Sequence, residues 1–146
     1  MRLVYLVENI IKKYHDQPAI GERVKHYITD AKSKRVVSQL EAKYQTITYQ
    51  QLWNRAESIA NEWYHHCQYP LKASDKVVIL SFINSDYIAI NLACVQINAI
   101  IIPLQTNLST KELTLILQEI EPQIIAASIE YLHIAVELVK NNQSIK

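Results

Sequence analysis

Lys76-Val77-Val78-Ile79-Leu80-Ser81-Phe82 is the stretch on which the fold turns. A strand with one face in water alternates apolar and polar residues, whereas a strand covered on both faces reads as an unbroken apolar run, and Val77-Val78-Ile79-Leu80 is such a run. Cover on both faces requires helices above and below. Downstream, the spacing predicts a helix over 85–97, a strand over 99–104, a helix over 109–120, a strand over 123–127 and a helix over 130–140. Ser109, with Glu112 three residues on, is a capping box, and Pro122 marks a sharp turn out of one helix into the next strand. Strands joined through helices must cross over, so the segment from Lys76 onward reads as a three-stranded parallel βαβαβ unit within an α/β fold.

Working back toward the start, Thr48 and Gln51 form another capping box, opening a helix whose apolar face is Leu52, Ala56, Ile59, Ala60 and Trp63 and which ends before Pro70. Before it come short β-prone runs over 19–24, 35–40 and 44–49. The polar Glu41-Ala42-Lys43 reads as the connection between the last two, which predicts a small antiparallel β hairpin there. Leu3, Leu6, Val7, Ile10, Ile11 and Tyr14 recur at helical spacing and predict an amphipathic first helix that stops before Pro18. The chain divides into a helix-and-hairpin region, 1–49, and an α/β unit, 50–146.

Composition excludes several classes of function. The 146 residues are 49% hydrophobic and 20% charged, as in an ordinary globular domain. Fifteen Lys plus Arg against fourteen Asp plus Glu leave a net charge of +1, so no overall field draws nucleic acid or an anionic membrane. Lys32, Lys34 and Arg35 are the nearest thing to a basic run, and without interleaved aromatic residues they read as a solvated turn. No run reaches the roughly eighteen apolar residues of a membrane span. The opening stretch is interrupted by Glu8, Lys12 and Lys13 and has no small-residue cleavage site, so no signal peptide is expected. Cys67 and Cys94 stand far apart, outside any Cys-x-x-Cys spacing, and suit a reducing compartment. A cytoplasmic location is the expectation.

The chemistry-bearing residues are few. Gly21 is the only glycine, so neither a phosphate-cradling loop nor a dinucleotide fingerprint is present. His65-His66-Cys67 offers zinc-ligand chemistry, but adjacent helical positions point about 100° apart and read as an exposed helix end. His15, His26 and His133 are scattered, none beside a nucleophile. Asp75, Asp86, Glu119 and Glu121 sit near element ends. Asp86 in a first helical turn is favoured by the macrodipole, Asp75 lies in the turn entering a strand, and Glu119 and Glu121, two apart on a helix, do not share a face. Trp53 and Trp63 read as packing residues rather than a stacking platform. The chain is therefore expected to carry no catalytic residue, no cofactor-binding residue and no metal ligand.

Ile47-Thr48-Tyr49-Gln50-Gln51-Leu52-Trp53-Asn54-Arg55 resembles the first core motif of the adenylate-forming superfamily, which includes acyl-CoA synthetases and peptide-synthetase adenylation domains. Val95-Gln96-Ile97-Asn98-Ala99-Ile100-Ile101-Ile102-Pro103-Leu104 resembles the second. Four further matches are most similar to carboxylic acid reductases: Pro18-Ala19-Ile20-Gly21-Glu22-Arg23; Asp86-Tyr87 with Leu92-Ala93-Cys94; Pro103-Leu104-Gln105-Thr106; and Glu119-Ile120-Glu121-Pro122, running on to Ala126-Ala127-Ser128-Ile129-Glu130-Tyr131-Leu132. Order and spacing agree from about His15 to Glu137. Two departures stand out, Ser74 before Asp75 and Asn98 before the Ala99 strand, both where the family has glycine; Asn91 replaces an Asp.

The resemblance implies that residues 1–146 are a partial N-terminal segment of an AMP-binding adenylation domain. In such an enzyme ATP and magnesium convert a carboxylic acid into an acyl adenylate, which reductases pass to a phosphopantetheine thiol and reduce with NADPH. The family's phosphate loop, nucleotide contacts and catalytic lysine lie beyond the matched segment, so no residue here inherits a catalytic role. Two readings follow. The chain is a piece of an acid-activating enzyme, truncated or completed by a separate chain, or it is a non-catalytic interaction module derived from such a domain. Its expected partner is the remainder of an adenylation domain or another copy of itself, and whether the coding sequence beyond Lys146 continues into a phosphate loop separates the readings.

Overall fold

A computed structural model of the chain describes residues 3–142 and 145. The first helix, α1 (Leu3–Tyr14), buries Ile11, while Leu3, Leu6 and Ile10 remain exposed. Two long strands follow, β1 (Pro18–Thr29) and β2 (Val36–Thr48), paired as an antiparallel ribbon. The ribbon corrects the expected hairpin. Its turn lies at residues 30–35, where the Asp30 carboxylate accepts from the Ser33 N–H at 2.6 Å and the Lys32 N–H at 3.1 Å, and Lys34 takes a left-handed conformation at φ 57°. An Asx turn of this kind competes well with extended structure, and it uses the residues read as a solvated turn. Glu41-Ala42-Lys43 is no connection. The register passes from Arg23↔Tyr44 to Lys25↔Leu40, so these three residues bulge opposite Val24 inside one continuous strand.

Thr48 caps α2 (Tyr49–His65) with both halves of the capping box formed, as expected. The chain then reverses into β3 (Lys76–Leu80), α3 (Ser85–Ile97), β4 (Ile100–Pro103), α4 (Thr110–Ile120), β5 (Ile124–Ala127) and α5 (Leu132–Lys140). The expected last helix starts later than 130, because a short 3-10 turn, Ile129–Tyr131, precedes α5. The three strands form a parallel sheet in the order β4-β3-β5, the βαβαβ unit that the sequence predicts.

The central strand explains the apolar run. Val77, Val78, Ile79 and Leu80 are at most 1% exposed. Val78 and Leu80 pack with Leu113 and Leu117 of α4 and Leu138 of α5 on one face, while Val77 packs with Cys94 of α3 and Trp63 of α2 on the other. At about 25 cal/mol per Å² of apolar surface, each such side chain contributes roughly 1.5–3 kcal/mol. Lys76 spans the sheet's lower rim, its Nζ donating to the Ile120 carbonyl at 2.6 Å and so capping the C-terminus of α4.

Candidate functional site

Open parallel sheets place ligands at the carboxyl ends of strands, where successive connections leave for opposite faces. Here that position is the gap between β3 and β5, since α3 packs on one face of the sheet and α5 on the other. A cleft of about 240 Å³ occupies it, with Tyr27, Ser81, Asn84, Asp86, Tyr87 and Ser128 in its wall.

The cleft is built around the start of α3. Asn84 is the N-cap, its Oδ1 accepting from the Tyr87 N–H at 2.8 Å. Ser85, buried at 3% exposure, donates its backbone N–H to Glu22 Oε2 at 3.1 Å and its hydroxyl to Glu22 Oε1 at 2.7 Å. Arg55 reaches across from α2, its Nη1 donating to Ser85 Oγ at 3.2 Å and to Asp86 Oδ1 at 2.7 Å. One network thus pins β1 and α2 to α3. The helix N-terminus, the part of an α/β protein best suited to hold a phosphate, is here filled by the Glu22 carboxylate and the Asn84 side chain. Tyr27 at the mouth has its pKa raised, first by burial and then by the charges of Glu130, Asp86 and Glu22. Asp86 is the one carboxylate in the cleft wall, and it is already paired with Arg55.

The other residues singled out in the sequence are dispersed. His65 Nδ1 lies 3.0 Å from the Asn61 carbonyl, whereas His66 Nδ1 accepts from the Tyr69 N–H at 3.1 Å, so the two adjacent histidines face different partners. Cys67 is exposed, and Cys94 is buried with its thiol pushed up to about 12 by desolvation. His15 pairs with Asp16 at 2.8 Å, and His26 pairs with Glu41 across the ribbon. His133 lines a surface groove between α5 and the ribbon's turn. Asp75 Oδ2 accepts from the Lys72 N–H at 2.7 Å as a turn-former. Glu121 is not on the helix with Glu119 but is its left-handed C-cap at φ 53°. Among the described residues, no group of three His, Cys, Asp or Glu side chains could hold a metal ion.

Gly21 lies in β1 opposite Thr46, and a Cβ there would meet only the Thr46 methyl at an ordinary 3.6 Å. It is not a phosphate-loop glycine. What the sequence does not single out is Glu22, Ser85 and Arg55 as one unit. The Asn84 cap ahead of an apolar helix was a readable signal, but the Glu22–Ser85 pair joins residues 63 apart.

Residues 21–146 match the family described as AMP-binding enzyme. Over 137 residues the chain is 35% identical to a carboxylic acid reductase of Mycobacterium tuberculosis, covering 94% of this chain and 12% of that one. Over 146 residues it is 31% identical to a carboxylic acid reductase of Segniliparus rugosus, covering all of this chain and again 12% of the relative. Among solved structures, the A domain of the Segniliparus rugosus enzyme, in complex with AMP and a co-purified carboxylic acid, superposes with a TM-score of 0.88 at 31% identity, over 100% of this chain and 23% of that one. The chain thus spans about an eighth of the length of the curated relatives it matches, and its likeness is to the N-terminal part of their adenylation domain.

Proposed function

The chain belongs to the AMP-binding enzyme family, and from that premise we propose that it serves as the N-terminal segment of an ATP-dependent, carboxylic-acid-activating adenylation domain and has no activity by itself. In this reading ATP, Mg2+, the phosphopantetheine thiol and NADPH are all handled by other parts of such an enzyme. The observation that carries it is end-to-end superposition on under a quarter of a reductase A domain. The α3 N-terminus supports the same reading, because Glu22 and Asn84 already accept the backbone N–H groups of Ser85 and Tyr87 that a phosphate would need. The residues present do not fit a nucleotide phosphate, and no step of acid activation is assigned to them.

The chain's role in this reading is structural: its parallel sheet and its ribbon form a surface on which the rest of the domain assembles. A second reading, an interaction module derived from such a domain, draws on the exposure of β4, where Ile100 is 46% accessible. In the test, the purified chain is assayed for carboxylate-dependent ATP–pyrophosphate exchange, alone and mixed with a separately expressed reductase adenylation domain lacking its own first segment. No exchange alone and restored exchange in the mixture are expected. Exchange by the chain alone overturns the proposal, and failure to complement with intact folding favours the module.

A further inference from the structure

At the opposite rim of the sheet from the cleft, the chain reversal after α2 encloses a second pocket of about 320 Å³. It is lined by Trp63, His66, Tyr69 and Leu71, by Glu62 and Asp75, and by Ile124 at the start of β5. The reversal is well fixed. The Leu71 N–H donates to the Trp63 carbonyl at 2.9 Å, and Leu71 itself is only 3% exposed. The Tyr69 N–H donates to His66 Nδ1, and the two rings stack with centroids 6.0 Å apart and planes 11° from parallel. Asp75 is held in place by the Lys72 N–H.

Among the lining residues the only full charges are the carboxylates of Glu62 and Asp75, and they stand beside an indole and a phenol. Aromatic faces carry negative quadrupole density, and a cation over such faces gains about 0.5–1 kcal/mol at exposed sites and more as water is excluded. The two lining carboxylates add to the attraction. We propose that this pocket binds a monovalent organic cation, a guanidinium or quaternary ammonium head group, independently of acid activation. An inorganic cation is a poor match, because the described residues provide no cluster of three metal-ligating side chains. The volume, about 320 Å³, admits a head group and its stem.

The test follows the Trp63 indole N–H resonance in the full chain carrying Trp53→Phe, titrated with arginine amide, tetramethylammonium and the uncharged isostere citrulline amide. Saturable shifts with at least one of the two cations, and none with citrulline amide, are expected; which cation saturates identifies the head group. Glu62→Gln and Tyr69→Leu should each weaken binding by about three-fold, the equivalent of one lining charge or one ring. Shifts that stay linear to tens of millimolar, an equal response to citrulline amide, or unchanged affinity in both variants would overturn the proposal.

Discussion

Ser74 and Asn98 stand where the resemblance to adenylate-forming enzymes implies glycine, and both take a left-handed backbone, with φ 72° and 56°. They also touch: the Ser74 N–H donates to the Asn98 carbonyl at 2.8 Å, joining the turn before β3 to the turn before β4. The αL geometry expected of Asn98 between helix and strand is therefore present, and its carbonyl is in use. Asparagine tolerates this region and serine does so poorly. Ser74→Gly should accordingly raise stability by about 0.5–1 kcal/mol and Asn98→Val should lower it by about 2 kcal/mol, read as shifts in urea midpoint at constant m. A lower midpoint for Ser74→Gly would show that the position carries no strain. The two thiols make a second contrast. With Cys94 buried and pushed from 9.0 to about 12, and Cys67 exposed, iodoacetamide at pH 8 should label Cys67 alone, with both labelled in denaturant, as counted by mass spectrometry. The unfolded Cys94 thiol ionises near 9.0 and the folded one near 12, so this group lowers stability progressively as pH rises across that window.

Elements differ in how plainly the sequence announced them, and the difference is physical. Thr48–Gln51 and Ser109–Glu112 are local devices, readable because each completes its own hydrogen bonds within one turn. The Glu112 carboxyl is held below its usual range by its bonds to the Ser109 hydroxyl and backbone. The apolar run of β3 was readable because covering both faces leaves no polar alternation. The ribbon was misread for the converse reason: β2 is exposed along most of its length, so its pattern follows no buried face, and a bulge of polar residues mimics a turn. The start of α3 is not legible as a unit because Glu22, Arg55 and Ser85 meet only in three dimensions. The caps and the ion pair also differ in strength. Thr48→Ala and Ser109→Ala should each cost about 1 kcal/mol, whereas Arg55→Ala should cost about 0.5 kcal/mol or less through its pair with the 71% exposed Asp86. Chemical denaturation of the three variants checks the order, and a larger loss for Arg55→Ala would mean that its bond to Ser85 dominates.

At the scale of the molecule, both outer strands of the parallel sheet have one neighbour each among the described residues. β4 ends in Pro103, which blunts part of that edge, but Ile100 on it is 46% exposed, and elsewhere Phe82 is 60% exposed and the stripe of α1 leaves Leu3 and Leu6 uncovered. The chain at tens of micromolar is expected to sediment above its monomer mass, and Ile100→Lys should restore the monomer without loss of helical circular dichroism. A sharp monomer boundary for the parent chain would remove the need for a partner. Val77 to Leu80 lie between two strands and two helical layers, whereas the ribbon has one partner per strand and water along most of β2. Protection against deuterium should follow that difference. The ribbon's amides should exchange through brief local openings, while those of β3 wait for the whole chain to unfold, so a single sample left in heavy water keeps a record of its core long after its arm has been rewritten.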